Sequence, residues 1–345
     1  MSADEVLFDQ RGPVGIIILN RPKALNALTL DMVRVMQQRL DAWADDAAVT
    51  SVVIRGAGER AFCAGGDIRA CRQSGLDGTS YAIDFWREEY VLNAAIKHYP
   101  KPYIALIHGV CMGGGVGVSV HGAYRVADAS ALFAMPETGI GFFPDVGGSY
   151  FLSRVPGQLG LYLALTGARL KLGDALYAKF ATHWIPSDDW ENLITALADG
   201  DTPADVIAEM GKLSLPNAPL SERRACIDQL FVGSSVEDVL FMLDFDGSGW
   251  ARETAATIRS RSPVSLKLAH SEIRAGSTLS FDECMRMEFR IANRILKGHD
   301  FAEGVRAVVV DKDNAPKWRP ATLEEVKDED IAAYFAPLGE KELPL

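Results

Sequence analysis

Residues 135–148 read MPETGIGFFPDVGG and set Glu137 and Asp145 eight positions apart among Ile140, Phe142, Phe143, Pro144 and Val146. An ionised carboxylate is costly in apolar surroundings. A pair placed there is either hydrogen-bonded for structure or has its pKa values driven apart for acid–base work. The residues alone leave these two readings level.

Two small-residue segments are the other places where chemistry can sit. AFCAGGDIRA (61–70) follows a predicted strand and runs through Ala64, Gly65 and Gly66 to Asp67 and a predicted helix start. Small residues let a ligand approach backbone N–H groups, and a helix N-terminus adds partial positive charge. HGVCMGGGVGVSVHG (108–122) puts Gly113, Gly114 and Gly115 between a strand and an apolar helical run. Each segment reads as half of an oxyanion hole or as plain close packing. The glycine spacing matches neither a P-loop nor G-x-G-x-x-G, so phosphate cradling is not supported. GVSVH (117–121) falls short of a nucleophile elbow because His121 takes the place of the glycine that the tight turn needs, so Ser119 and His121 read as structural. The six histidines show no metal-ligand spacing, and no metal is implied.

Elements must position these groups. Apolar β-branched runs at 14–20, 51–56 and 102–109 predict buried parallel strands. Shorter strands are expected at 124–128 and 132–135. Leu30, Val33, Met36, Leu40 and Trp43 recur at helical spacing behind Thr29, a predicted N-cap. Further helices are expected near 80–98, 113–121 and 147–166. From about residue 187 the chain turns polar and helical. Ser280 with Glu283 forms a capping box ahead of a long helix ending at Gly298. The reading is an α/β core over 1–186 with a mostly helical region over 187–345, whose last 25 residues form a surface tail.

Composition bounds the function. The chain has 345 residues, of which 48% are hydrophobic and 23% charged, as in an ordinary globular protein. Its net charge of −11, from 35 basic and 46 acidic residues, argues against a nucleic-acid partner. An anionic small ligand needs only a local cluster of cations. Five cysteines without C-x-x-C argue against a disulfide framework. The acidic start MSADEVLFDQ lacks an apolar leader core, and no run approaches membrane-span length. A cytoplasmic protein with no membrane partner is expected.

Together the segments resemble the crotonase superfamily, the enoyl-CoA hydratase/isomerase family. The matching stretches are NRPKALNAL (20–28), AFCAGGDI (61–68), MGGGVG (112–117) and PETGIGFFPDVGG (136–148). The resemblance implies a crotonase-like ββα spiral core that binds coenzyme A thioesters. Two backbone N–H groups there hold the thioester oxygen as it gains charge. By motif position these belong to Ala64 and Gly114, with Gly65, Gly66 and Asp67 in the substrate-binding set. Hydratases of the family hold water between two glutamates, one at the position of Glu137 and one at the position occupied here by Gly117. In this chain a carboxylate stands instead at Asp145.

That pattern looks like the family's thioester hydrolases. The fit extends through FWREEY (85–90), VSVHG (118–122), ALTGARLK (164–171), ATHWI (181–185), SPVSLK (262–267) and GHDFAEGVRAVVVDKDNAPKW (298–318), and so over nearly the whole chain. It implies hydrolysis of a 3-hydroxyacyl-CoA, foremost 3-hydroxyisobutyryl-CoA of valine breakdown. Glu137 would be nucleophile or base, Asp145 its partner, and Glu89 a contact for the acyl hydroxyl. Coenzyme A is then part of the substrate and no separate cofactor is expected. Lys23, Arg69 and basic residues of 281–297 are candidates for its phosphates, and a homo-oligomer is compatible with the family. The rivals are a lyase of the same fold using Glu137 alone, a non-catalytic acyl-CoA-binding protein, and an unrelated serine thioesterase.

Overall fold

The structure, a computed structural model, describes residues 5–214 and 216–345, so the first four residues of the acidic start lie outside it. The chain forms two compact units that interleave in sequence. The first comprises Met1–Gly66, Leu92–Ala134 and Arg169–Ser221; the second comprises Asp67–Val91, Met135–Ala168 and Glu222–Leu345. The boundary expected at residue 186 coincides with no edge of either unit.

The described strands all belong to the first unit. A six-stranded sheet runs in the order β1 (Val6–Arg11), β2 (Val14–Leu19), β3 (Ser51–Gly56), β5 (Tyr103–Ile107), β7 (Tyr124–Ala127), β10 (His183–Trp184). Every pair is parallel except β1 with β2. The apolar runs of β2, β3 and β5 are buried as predicted. β1 was not legible because VLFDQR turns polar after Phe8, as suits a half-exposed edge strand. The helix Leu30–Asp45 buries Leu30, Val33, Met36, Leu40 and Trp43, and the Thr29 hydroxyl accepts the Met32 N–H. Helix Trp190–Ala198 covers the sheet with Trp190, Leu193, Ile194 and Leu197 against Ile16, Val53, Leu106 and Val126. Each such aliphatic side chain contributes roughly 1.5–3 kcal/mol on burial.

A second sheet orders β4 (Ala61–Cys63), β6 (Val110–Met112), β8 (Leu132–Ala134) and β9 (Leu170–Lys171). The expected strand 102–109 is thus β5 alone, with Gly109 at positive φ turning the chain into β6. A Cβ on Gly109 would lie 2.2 Å from the Arg60 carbonyl oxygen, so only glycine fits there.

The second unit is helical. The predicted helix near 80–98 is Tyr81–Lys97, which runs on into the first unit beyond Val91. The stretch 147–166 holds two short helices, Gly148–Leu152 and Leu159–Thr166, because Pro156 and the left-handed Gly157 interrupt it. The capping box on Ser280 is present, and its helix runs Phe281–Ile295. The last 25 residues do not form a loose surface tail. Leu323, Val326, Ile331 and Leu343 are buried, and Arg290 holds Glu342 at 2.9 Å.

Candidate active site

In the first unit, β4 and β6 are parallel neighbours, so the small-residue segments that follow them leave the sheet together. Gly114 opens the short helix Gly114–Gly117, to which the helix expected over 113–121 is reduced. The N–H groups of a helix's first turn have no partner within it. No described hydrogen bond uses the Gly114 N–H. Glycine is needed here for two reasons: a Cβ on Gly115 would stand 2.2 Å from the Cys63 carbonyl oxygen, and Gly65 has φ of 118°.

Ala64 does not fit the donor role expected of it. Its N–H already donates to the Leu25 carbonyl at 3.0 Å. That carbonyl is fixed by a left-handed Leu25–Asn26 turn. The buried Asn26 amide accepts the Arg21 N–H and donates to the Ala57 and Ala61 carbonyls. The donor position on this segment moves to Gly66, whose N–H no described bond uses. The Ser119 hydroxyl donates back to the Gly115 and Val116 carbonyls, a structural arrangement.

In the second unit, Asp67 caps the helix Ile68–Asp77 by accepting the Ala70 N–H at 3.3 Å. That bond gives Asp67 a structural task at the start of this helix.

The main feature of this unit is a set of buried carboxyls. Glu89 comes from the helix Tyr81–Lys97, Glu137 begins the 3-10 turn Glu137–Ile140, and Asp145 lies in the loop beyond it. Glu272 comes from the helix Pro263–Gly276 and Glu288 from Phe281–Ile295. None is more than 6% exposed. Among the described hydrogen bonds and ion pairs no Lys or Arg reaches any of them, so their charge must be limited by protonation rather than by pairing.

Aromatic walls supply part of the desolvation. Trp86 stacks on Phe142 at 5.1 Å, Phe301 meets Phe142 at 5.3 Å, and Tyr90 sits edge-on to Phe289. The Glu137 turn is anchored where the Ser262 N–H donates to the Thr138 carbonyl. The left-handed Gly141 lies so close to the Asp300 carbonyl that a Cβ would sit 2.1 Å from its oxygen.

The carboxyls differ in what satisfies them. Asp145 accepts the Tyr90 hydroxyl at 2.7 Å. Burial raises its pKa to about 7, with that hydroxyl and its own backbone opposing the rise. Glu137 is pushed well above the usual carboxyl range, first by burial and then by the charge of Asp145, and its Oε2 has no partner. Glu89 is raised for the same two reasons, and its Oε1 has no partner. Glu272 is raised by burial and by Glu288, Asp145 and Glu137, with neither oxygen bonded. Glu288 is raised by burial to about 8 although Ser149 and Gly147 donate to it. Burial thus raises both acids, and the charge of Asp145 raises Glu137 further, so the two interact as they titrate.

Three of these groups were missed from sequence. Glu272 and Glu288 each interrupt an apolar helical stripe, Leu268–Ala269–Ile273 and Cys284–Met285–Ile291, and that interruption was a readable signal. Tyr90 gave no signal beyond standing next to Glu89. Of the phosphate candidates, Arg69 donates to the Val309 carbonyl, Arg290 pairs with Glu342 and Arg294 donates to the Tyr334 carbonyl. Lys23 is exposed and appears in no described ion pair.

A model of the enoyl-CoA hydratase/isomerase family matches residues 14–335. The chain belongs to that family. Among curated relatives it is 48% identical to the mitochondrial 3-hydroxyisobutyryl-CoA hydrolase of Danio rerio, covering 100% of this chain and 92% of the other. It is 49% identical to the Xenopus tropicalis protein of the same name, over 99% of this chain and 91% of the other. Among solved structures, a carnitinyl-CoA dehydratase from Mycobacterium thermoresistibile superposes with a TM-score of 0.94 at 44% identity, covering 99% of this chain and 98% of the other. The fold is accordingly that of the enoyl-CoA hydratase/isomerase family, with a mostly helical C-terminal part. The expected cytoplasmic location is overturned, because both curated relatives are mitochondrial proteins. Acidic composition and free cysteines do not distinguish those compartments.

Proposed function

We propose that this family member is an acyl-CoA thioester hydrolase that cleaves 3-hydroxyisobutyryl-CoA to 3-hydroxyisobutyrate and free coenzyme A, a step of valine breakdown. The observation that carries the reading is that Glu137 and Asp145 are buried together, with the charge of Asp145 felt at Glu137, while Gly117 stands where a hydratase places its second glutamate. The names of the two curated relatives support it.

The roles follow from protonation. The pair enters the reaction with one negative charge and one proton. When the proton resides on Asp145, the Glu137 carboxylate attacks the thioester carbonyl or takes a proton from the attacking water. On the direct route the thiolate leaves an acyl-Glu137 anhydride, which a water deprotonated by the then ionised Asp145 opens to release the acid and restore the pair. Either route builds negative charge on the carbonyl oxygen. The family resemblance assigns two backbone donors to it, for which the N–H groups of Gly66 and Gly114 are the candidates within the first unit, each worth ~3–4 kcal/mol where such charge develops. Asp145 then gives its proton to the departing thiolate, whose ordinary pKa is ~8.5 by analogy with cysteine. Glu89, whose carboxyl is raised by burial and by the charge of Asp145, faces the same cluster and is the contact for the 3-hydroxyl. Lys23, Arg286 and Lys297, which appear in no described ion pair, are the candidates for a coenzyme A phosphate.

A lyase reading is favoured by one observation, the dehydratase name of the solved structure. Against it stands Gly117, which removes one of the two carboxylates that hold water in hydration. A non-catalytic acyl-CoA binder has no use for a buried acid pair.

Replacement of the nucleophile or base tests the assignment. Glu137→Gln is expected to lower thiol release from 3-hydroxyisobutyryl-CoA by roughly 10³-fold or more while coenzyme A binding persists. Near-normal hydrolysis by a folded Gln variant contradicts the assignment.

A further inference from the structure

The loop that presents Asp145 is strained and has no cap of its own. Val146 has φ of 55°, a left-handed conformation that β-branched residues avoid, and Gly147 follows at 84°. Such a residue costs on the order of 1–3 kcal/mol and persists only where its surroundings hold it. Immediately afterwards the helix Gly148–Leu152 begins, with Gly147 as its N-cap. A glycine has no side chain to satisfy the first N–H groups of a helix.

Glu288 fills that place from a helix more than a hundred residues further along the chain. Its Oε2 accepts the Gly147 N–H at 2.7 Å, and its Oε1 accepts the Ser149 N–H at 2.9 Å and the Ser149 hydroxyl at 2.5 Å. The remaining N–H of the turn, on Gly148, returns to the Asp145 carbonyl at 2.8 Å. Each of these bonds fixes the backbone within four residues of Asp145. The packing behind them is tight, since a Cβ on Gly276 would lie 2.3 Å from the Ser149 carbonyl oxygen.

We propose that Glu288 is a positioning residue for the hydrolytic reaction: its carboxylate clamps the Val146–Ser149 turn from both sides and so sets Asp145 against the Tyr90 hydroxyl. Glu288 does not touch the reacting atoms and acts through Asp145. The inference rests on the assignment of Asp145 as the proton donor to the thiolate. Glu272 is the natural control, because it is as buried as Glu288 and titrates in the same cluster but makes no bond to the 145–149 turn.

The experiment measures thiol release from 3-hydroxyisobutyryl-CoA against pH for Glu288→Gln, Ser149→Ala, Glu272→Gln and Asp145→Asn. Glu288→Gln turns one acceptor into an N–H₂ group facing an N–H donor, and is expected to lower kcat by ~10–100-fold with KM little changed, the scale of a small misplacement of a catalytic group. Ser149→Ala, which removes only the hydroxyl bond, should show a smaller loss of the same kind and keeps the test valid if Glu288→Gln does not fold. Glu272→Gln, which breaks no bond to the turn, should lose clearly less kcat than Glu288→Gln. Asp145 withdrawn from Tyr90 loses a hydrogen bond that favours its ionised form, so the acid limb of the Glu288→Gln profile should move to higher pH. A Glu288 side chain that does not hold the turn would leave that limb in place. The inference is overturned if Glu288→Gln and Ser149→Ala keep kcat, if Glu272→Gln falls as far as Glu288→Gln, or if the limb does not move up. If Asp145→Asn also keeps full activity, the catalytic reading of Asp145 itself is wrong; loss in Asp145→Asn beside unchanged Glu288→Gln refutes the clamp alone.

Discussion

At the scale of residues, the molecule takes two carboxylic acids out of water and lets the charge of one act on the other. Asp145 has the Tyr90 hydroxyl to stabilise its anion, whereas Glu137 has an oxygen with no partner and a negative neighbour. This asymmetry has a consequence for pH. Burial raises both acids, Asp145 to about 7, so the ionised form that the reaction needs is lost as pH falls through that value. We expect kcat/KM to fall about tenfold per pH unit well below that value and to level off above it. A rate profile flat from pH 5 to pH 8 contradicts this dependence on ionisation. The sequence showed the pair and its apolar flanks. It did not show Tyr90, because a tyrosine inside a helix is usually packing, and only the fold aims its hydroxyl at Asp145.

At the scale of elements, glycines decide where donors can point. The two short strands β4 and β6 were not legible, being only three residues each and folded into the reading of the Gly-rich segments, whereas the small residues behind both were legible. The identity of the donor on the first segment was not. Motif position pointed to Ala64, but its N–H is taken by the Leu25 carbonyl because Leu25 and Asn26 both adopt the left-handed conformation. No periodicity reveals that turn. The same packing yields a prediction for Gly115, whose absent Cβ would meet the Cys63 carbonyl oxygen at 2.2 Å. Gly115→Ala must push the two segments apart and displace the Gly114 N–H. We expect kcat to drop by ~10²–10³-fold, the cost of one lost oxyanion donor, with circular dichroism showing the helices retained. Parent-like turnover in that variant would rule out Gly114 as a donor.

At the scale of the whole molecule, family membership, the α/β class and the helical C-terminal part were all readable, because they rest on long apolar runs and on motifs spread over most of the chain. The interleaving of the two units was not, since Asp67–Val91 and Met135–Ala168 join Glu222–Leu345 only through tertiary packing. The terminal segment misled for a related reason: its buried residues, Leu323, Val326, Ile331 and Leu343, are too sparse to form a periodic stripe. Location was misread because composition carries no address. The central claim is that this enoyl-CoA hydratase/isomerase family member hydrolyses a thioester rather than hydrating a double bond. It is tested most directly by offering the protein 3-hydroxyisobutyryl-CoA and a 2-enoyl-CoA separately, while recording free thiol and enoyl absorbance together. Thiol should appear from the hydroxyacyl ester with no change in enoyl absorbance. Gain or loss of enoyl absorbance without thiol would contradict it.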